Sequence, residues 1–126
     1  PDSAFYFAGL QYEFAKLKGL QEQEAKALGT QGAAFYHRGK YIKAIDYHNR
    51  SLTISEEIGD KLETSFSLTN IGNIHFDQGK YLVALDYFNR SLIISRKIDN
   101  KLGVGISLVS IATIYKKQKK YSKAKD

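Results

Sequence analysis

The chain has 126 residues, 43% hydrophobic and 25% charged, with one Pro, no Cys and a formal net charge of +6, which suits one folded, helix-rich domain. The lack of Cys excludes disulfides, thiolate metal sites and cysteine nucleophiles. No window approaches the ~18 uncharged apolar residues of a membrane-spanning helix, so no membrane insertion is expected. The positive charge is local: residues 116–126 hold six Lys and one Asp, whereas the other 115 residues carry 13 basic and 12 acidic side chains. A cluster confined to one end reads as a solvated helix end, and nucleic acid is not expected as a partner.

In chain order, apolar residues at i, i+3 and i+4 spacing predict helices over 3–18, 22–37, 41–57, 61–77, 81–97 and 101–117, with a stub from Tyr121. The first carries Phe5, Phe7, Leu10, Phe14 and Leu17. Leu62, Phe66, Ile71, Ile74 and His75 mark the fourth, and Tyr81, Ala84, Leu85, Phe88, Leu92 and Ile93 the fifth. Gly79 can close a helix in the left-handed conformation. At the joints Ile58-Gly59-Asp60-Lys61 and Ile98-Asp99-Asn100-Lys101, Gly or Asn can end one helix and Asp60 or Asn100 can cap the next.

These elements recur every 40 residues. Arg38-Gly39-Lys40-Tyr41 returns as Gln78-Gly79-Lys80-Tyr81 and as Gln118-Lys119-Lys120-Tyr121, and Asn49-Arg50-Ser51-Leu52 returns unchanged as Asn89-Arg90-Ser91-Leu92. Of the 40 residues from Tyr41 to Lys80, 19 equal the residue 40 places later. A fixed period of this size implies stacked helix pairs in a single domain. The chain divides into a second-helix half (3–18), a repeat over 22–57, a repeat over 61–97 and a partial repeat over 101–126. Because it begins and ends in mid-repeat, it is expected to be a piece of a longer protein or a processed form.

The registered residues resemble the tetratricopeptide repeat, whose helix pairs read aromatic-x-x-Leu-Gly-x-x-Tyr and then Ala-x-x-x-Phe. The middle unit matches with Leu68, Ile71, Gly72, His75, Ala84 and Phe88. The preceding unit offers Leu28, Gln31, Gly32, Phe35, Ala44 and His48, and the following one Leu108, Ile111, Ala112, Tyr115 and Ala124. The period is 40 rather than 34, the closing Pro is replaced by Gly-Asp or Asp-Asn, and Gln31 stands in an apolar slot. The 40-residue joints and the Asp-Ser-Ala start resemble repeats that precede signalling modules in bacterial sensor proteins. The resemblance implies an all-α, right-handed α-solenoid. Small residues at 32, 72 and 112 would let the second helix approach the first.

In this family the first helices line a concave groove. The resemblance therefore assigns partner contacts to Lys26, Tyr36 and His37, to Phe66, Thr69, Asn73, Phe76 and Asp77, and to Val109, Thr113, Lys116 and Lys117, with Gly29, Ala33 and Ile106 at neighbouring groove positions. Asn73 is the leading candidate, because a side-chain amide both donates to and accepts from a peptide backbone. Tyr36 and Phe76 are either apolar anchors for a ligand or packing between repeats. Arrays that clamp acidic chaperone tails need cations or Asn at set positions. Here those positions are Gly29, Ala33, Thr69, Asn73, Val109 and Thr113, and only Asn73 fits.

No enzyme is expected. His48 and His75 fall in core slots, no His pair has metal-ligand spacing with a carboxylate, no glycine-rich phosphate loop occurs, and Ser51 and Ser91 occupy small packing slots. No cofactor and no metal are implied. Leu102–Tyr115 carries no charge, and an exposed terminal face including some of Ile111, Ile114 and Tyr115 would self-associate, with Phe5 and Phe7 on the complementary end. The expected partner is thus a protein or extended peptide. The alternatives are a spacer that forms homo-oligomers through its solenoid ends and a sensor of peptide pheromones. The compartment is open, with the cytoplasm favoured and the periplasm retained.

Overall fold

The computed structural model describes residues 2–125, without the side chains of 15, 17, 18, 121 and 123–125. Expectations placed on the side chains of Leu17, Tyr121 and Ala124 lie outside the described residues. Six helices follow one another: α1 (Asp2–Lys18), α2 (Gln21–His37), α3 (Tyr41–Glu57), α4 (Lys61–Asp77), α5 (Tyr81–Lys97) and α6 (Lys101–Lys125). The fold is an all-α solenoid.

The turns explain why successive helices fold back. Gly39, Gly59 and Gly79 take φ values of 74°, 72° and 77°. At the first turn the Gly39 N–H donates to the Tyr36 carbonyl and the Lys40 N–H to the Phe35 carbonyl, each at 2.9 Å. This pair of bonds satisfies the last helical carbonyls, and it requires a left-handed residue where Gly stands. At the α5–α6 joint the left-handed residue is Asp99, at φ 55°, and not Asn100. Asn100 instead caps α6, accepting from the Gly103 N–H at 3.2 Å as Asp60 accepts from the Glu63 N–H at 3.1 Å.

The turn expected at 118–120 does not form: α6 runs on to Lys125, so the stub from Tyr121 is part of the same helix. Position 119 is the third copy of Gly39 and Gly79. Lysine there pays the Cβ clash of the left-handed conformation, and Lys and Gln are good helix formers.

Each helix packs on its sequence neighbours. In addition α2 touches α4 and α4 touches α6, whereas the backbones of α3 and α5 stay further apart. The stack is therefore tighter along α2, α4 and α6, which makes this the concave side. The core is a series of small clusters. One joins Phe35, Ala44 and Ile74, the next Leu52, Leu68 and Ile71, and the last Ala84, Phe88 and Ile114. Within each pair the close approach depends on glycine. A Cβ on Gly72 would lie 2.7 Å from the Phe88 ring, and one on Gly32 would lie 2.8 Å from His48 Nε2. Buried Ser51 and Ser91 pin the second helix to the first, donating to the carbonyls of Ala25 (2.8 Å) and Ser65 (3.1 Å).

Two residues expected on self-associating ends face inward. Ile114 is fully buried, because it stands one period after Ile74 and so turns back toward the preceding repeat. Phe5 packs edge-on to Phe35 with ring centres 4.8 Å apart. Ile111 packs on the last cluster, while Phe7 and Tyr115 are exposed.

Candidate functional site: the concave groove

A hollow of about 890 Å³ runs along the concave side. Its lining includes Lys26, Gly29, Thr30 and Ala33 from α2, Leu62, Glu63, Ser65, Phe66, Thr69, Asn70 and Asn73 from α4, and Leu102, Gly103 and Ile106 from α6. Ser91, Ser95 and Asn100 close its floor. Three parallel helices spaced by the repeat present one face each, so residues 40 apart stand side by side. Phe66 is 48% exposed, Ile106 46% and Leu102 74%, and Leu62 is also exposed. These side chains form an apolar strip at the start of α4 and α6. Asn70 and Asn73 are exposed beside it.

Of the residues the sequence assigned to the groove, Lys26, Phe66, Thr69 and Asn73 line this hollow, together with the neighbouring Gly29, Ala33 and Ile106. Thr69 is partly occupied, since its hydroxyl lies 2.9 Å from the Ser65 carbonyl and 2.8 Å from Ser91 Oγ. Tyr36, Phe76 and Asp77 gather at the C-terminal ends of α2 and α4. The Tyr36 hydroxyl donates to Asp77 Oδ2, bridging α2 to α4. Phe76 packs on Tyr81 with ring centres 5.2 Å apart, and Lys117 Nζ sits 5.8 Å from the Phe76 ring centre. Tyr36 packs near Tyr41 and His37. The Tyr36–Asp77 hydrogen bond and the Lys117–Phe76 contact join successive repeats, whereas the ring contacts of Tyr36 with Tyr41 and of Phe76 with Tyr81 lie within one repeat. His37, Val109 and Lys116 are exposed outside the hollow, and Thr113 donates to the Val109 carbonyl of its own helix at 2.8 Å.

Sequence reasoning missed Leu62, Glu63, Leu102 and Asn100. The signal was present: Leu62 and Leu102 lie four residues before Phe66 and Ile106, on the same helical face.

The electrostatics separate the groove from the core. Burial pushes the Glu63 carboxyl above the usual carboxylate range, nearby Asp60 and Glu22 add to this, and Lys26 opposes it. The hydrogen bond to Asp77 raises Tyr36 to about 12. In the core, burial lowers His48 to about 4. Burial and then Lys80 lower His75, whose ring stacks on Tyr87 at 5.6 Å. Among the described residues no group of three or more His, Cys, Asp or Glu is placed to hold a metal ion, and no helix is long and apolar enough to cross a membrane. The groove offers apolar area and side-chain amides.

Comparison with known proteins gives the same architecture. The family model described as Tetratricopeptide repeat matches residues 23–92 and again 63–126. Among curated proteins no sequence matches. Among solved structures, the crystal structure of BtubC (BKLC) from P. vanneervenii is similar, with a TM-score of 0.82 at 17% identity over 98% of this chain and 52% of that one. At that identity the likeness concerns the fold, and the chain spans about half the length of that protein.

Proposed function

Because the chain belongs to the tetratricopeptide repeat family, whose members characteristically bind proteins or peptides as non-catalytic scaffolds, we propose that its groove between α2, α4 and α6 holds an extended segment of a partner protein. The observation that carries this reading is the pairing of exposed Leu62, Phe66, Leu102 and Ile106 with the exposed amides of Asn70 and Asn73. An apolar strip supplies burial, and amides beside it can satisfy a peptide backbone without dictating sequence. The likeness of the 40-residue joints to those of bacterial sensor proteins supports a place within a larger signalling protein.

The test is affinity capture from the source lysate with the parent and with Phe66→Ser/Asn73→Ala/Ile106→Ser, whose helicity is first matched by circular dichroism. A partner retained by the parent and lost by the variant is the expected result. Equal retention by both overturns the groove. Recovery of this chain alone points instead to assembly through its ends, a reading favoured by the exposed Tyr6, Phe7, Leu10, Phe14 and Tyr115.

A further inference from the structure

One carboxylate in the groove is not needed by the fold. Asp60-x-x-Glu63 has the spacing of a capping box, in which the second acid would reach back to the backbone N–H of the first. Here that N–H already donates to the Ser55 carbonyl at 2.9 Å, in the turn held by Gly59. Asp60 alone caps α4. The Glu63 side chain instead lies across the floor of the groove, with Oε2 3.9 Å from where a Cβ on Gly29 would stand. Among the described residues no hydrogen bond or ion pair reaches this carboxylate. The nearby cation, Lys26, is paired with Glu22 at 3.2 Å.

The neighbouring repeats show that the acid is particular to this cleft. Forty residues before Glu63 stands Gln23, and forty after it Gly103. The neighbouring position changes too: Gly29 lies against Glu63, whereas the residue 40 places after Gly29 is Thr69, and Gly103 lies against Ser95 and Asn100. Between α2 and α4 the groove therefore holds one carboxylate, Glu63, beside a cation, Lys26, that is already paired with Glu22. Between α4 and α6 it is uncharged, with Phe66, Leu102 and Ile106 exposed.

Building on the groove reading above, we propose that the bound segment carries a basic residue beside apolar ones, its Lys or Arg side chain seated on Glu63 and its apolar side chains on Phe66 and Ile106. Charge complementarity selects this occupant. A half-buried, unpaired carboxylate gains a charge-assisted hydrogen bond from an incoming cation and repels an incoming acid. Burial raises the Glu63 pKa, and a cation within hydrogen-bond reach offsets that penalty because it favours the ionised form.

The experiment pans random dodecapeptides displayed on phage against the whole chain, against Glu63→Gln and against Phe66→Ala/Ile106→Ala. Gln23 at the equivalent position of the preceding repeat indicates that glutamine is accommodated there. On the parent, selected peptides are expected to be enriched in Lys or Arg near apolar residues. On Glu63→Gln the basic enrichment disappears and the apolar one persists. A synthetic copy of a selected peptide should lose about tenfold in affinity for the parent when its basic residue becomes Gln, and less than about twofold for Glu63→Gln. Selection of acidic or uncharged peptides that still need Phe66 and Ile106 overturns the cation proposal and leaves the groove reading standing. So does an equal loss on both proteins. Failure to select any peptide, or peptides indifferent to Phe66→Ala/Ile106→Ala, overturns both.

Discussion

The two complete repeats share one backbone and differ in what they place against it. In the second, Gly72 receives the ring of Phe88, which is fully buried and shares a cluster with Ala84 and Ile114. In the first, Gly32 receives His48 at the same place, equally buried, with Nδ1 lacking a hydrogen-bond partner among the described residues. The helix crossing is thus set by glycine and by ring shape. A polar ring tolerates the slot only by staying neutral, which is why burial holds His48 near 4. The concave clefts differ in a parallel way: Gly29 and Glu63 stand at positions in one that Thr69 and Gly103 occupy in the other. The scaffold fixes positions, and single substitutions at those positions set local chemistry.

The comparison breaks most severely at Phe88. Phe88→Ala should cost about 3–5 kcal/mol in urea unfolding followed by circular dichroism, through lost burial and the cavity left facing Gly72. His48→Ala should cost less, since the ring it removes was carrying an unsatisfied nitrogen. A loss at Phe88 no larger than at His48 would contradict the penalty assigned to the unpaired His48 nitrogen.

His48→Phe sharpens it. Copying the second repeat into the first should stabilise the protein by about 1–2 kcal/mol by removing a buried unpaired nitrogen. The variant also tests a pH dependence. The folded His48 pKa lies below the unfolded value of 6.5, so the unfolded state binds more protons between them. Its contribution is complete above pH 6.5 and is lost as pH falls toward 4, by roughly 2–3 kcal/mol. His75 adds in the same direction. Urea titrations at pH 7.5 and pH 4.5 should show this slope in the parent and a much shallower one in His48→Phe. Identical slopes would remove His48 as its source.

The smallest effect is expected at the end of α6. Lys119→Gly restores the residue found at 39 and 79, and it should cost about 1 kcal/mol of local helix propensity. Backbone chemical shifts after residue 119 should then leave the helical range. Helical shifts unchanged to Lys125 would show that glycine alone does not set this turn.

Much of the architecture was legible in the sequence. Helices α3, α4 and α5 fall at the bounds that the 40-residue period predicts, because periodicity and turn glycine act within a few residues. The slots of Gly32, Gly72, Ser51 and Ser91 were legible for the same reason. The failures came where a copied motif lost one residue. The third Gly-Lys-Tyr became Lys-Lys-Tyr, and the helix ran on through it. Tyr36 and Phe76 could be read two ways, since an aromatic residue near the end of a first helix can face a ligand or the next repeat.

The sequence by itself determined the helix pairs, their register and the family, all of which follow from local propensity and repetition. Only the tertiary structure decided which first-helix residues meet in the groove. It turned Ile114 inward, closed Tyr36 onto Asp77, and left Glu63 unpaired over Gly29. The physical reason is distance along the chain. These contacts join residues 26 to 41 positions apart, and their energies depend on how one repeat leans on the next.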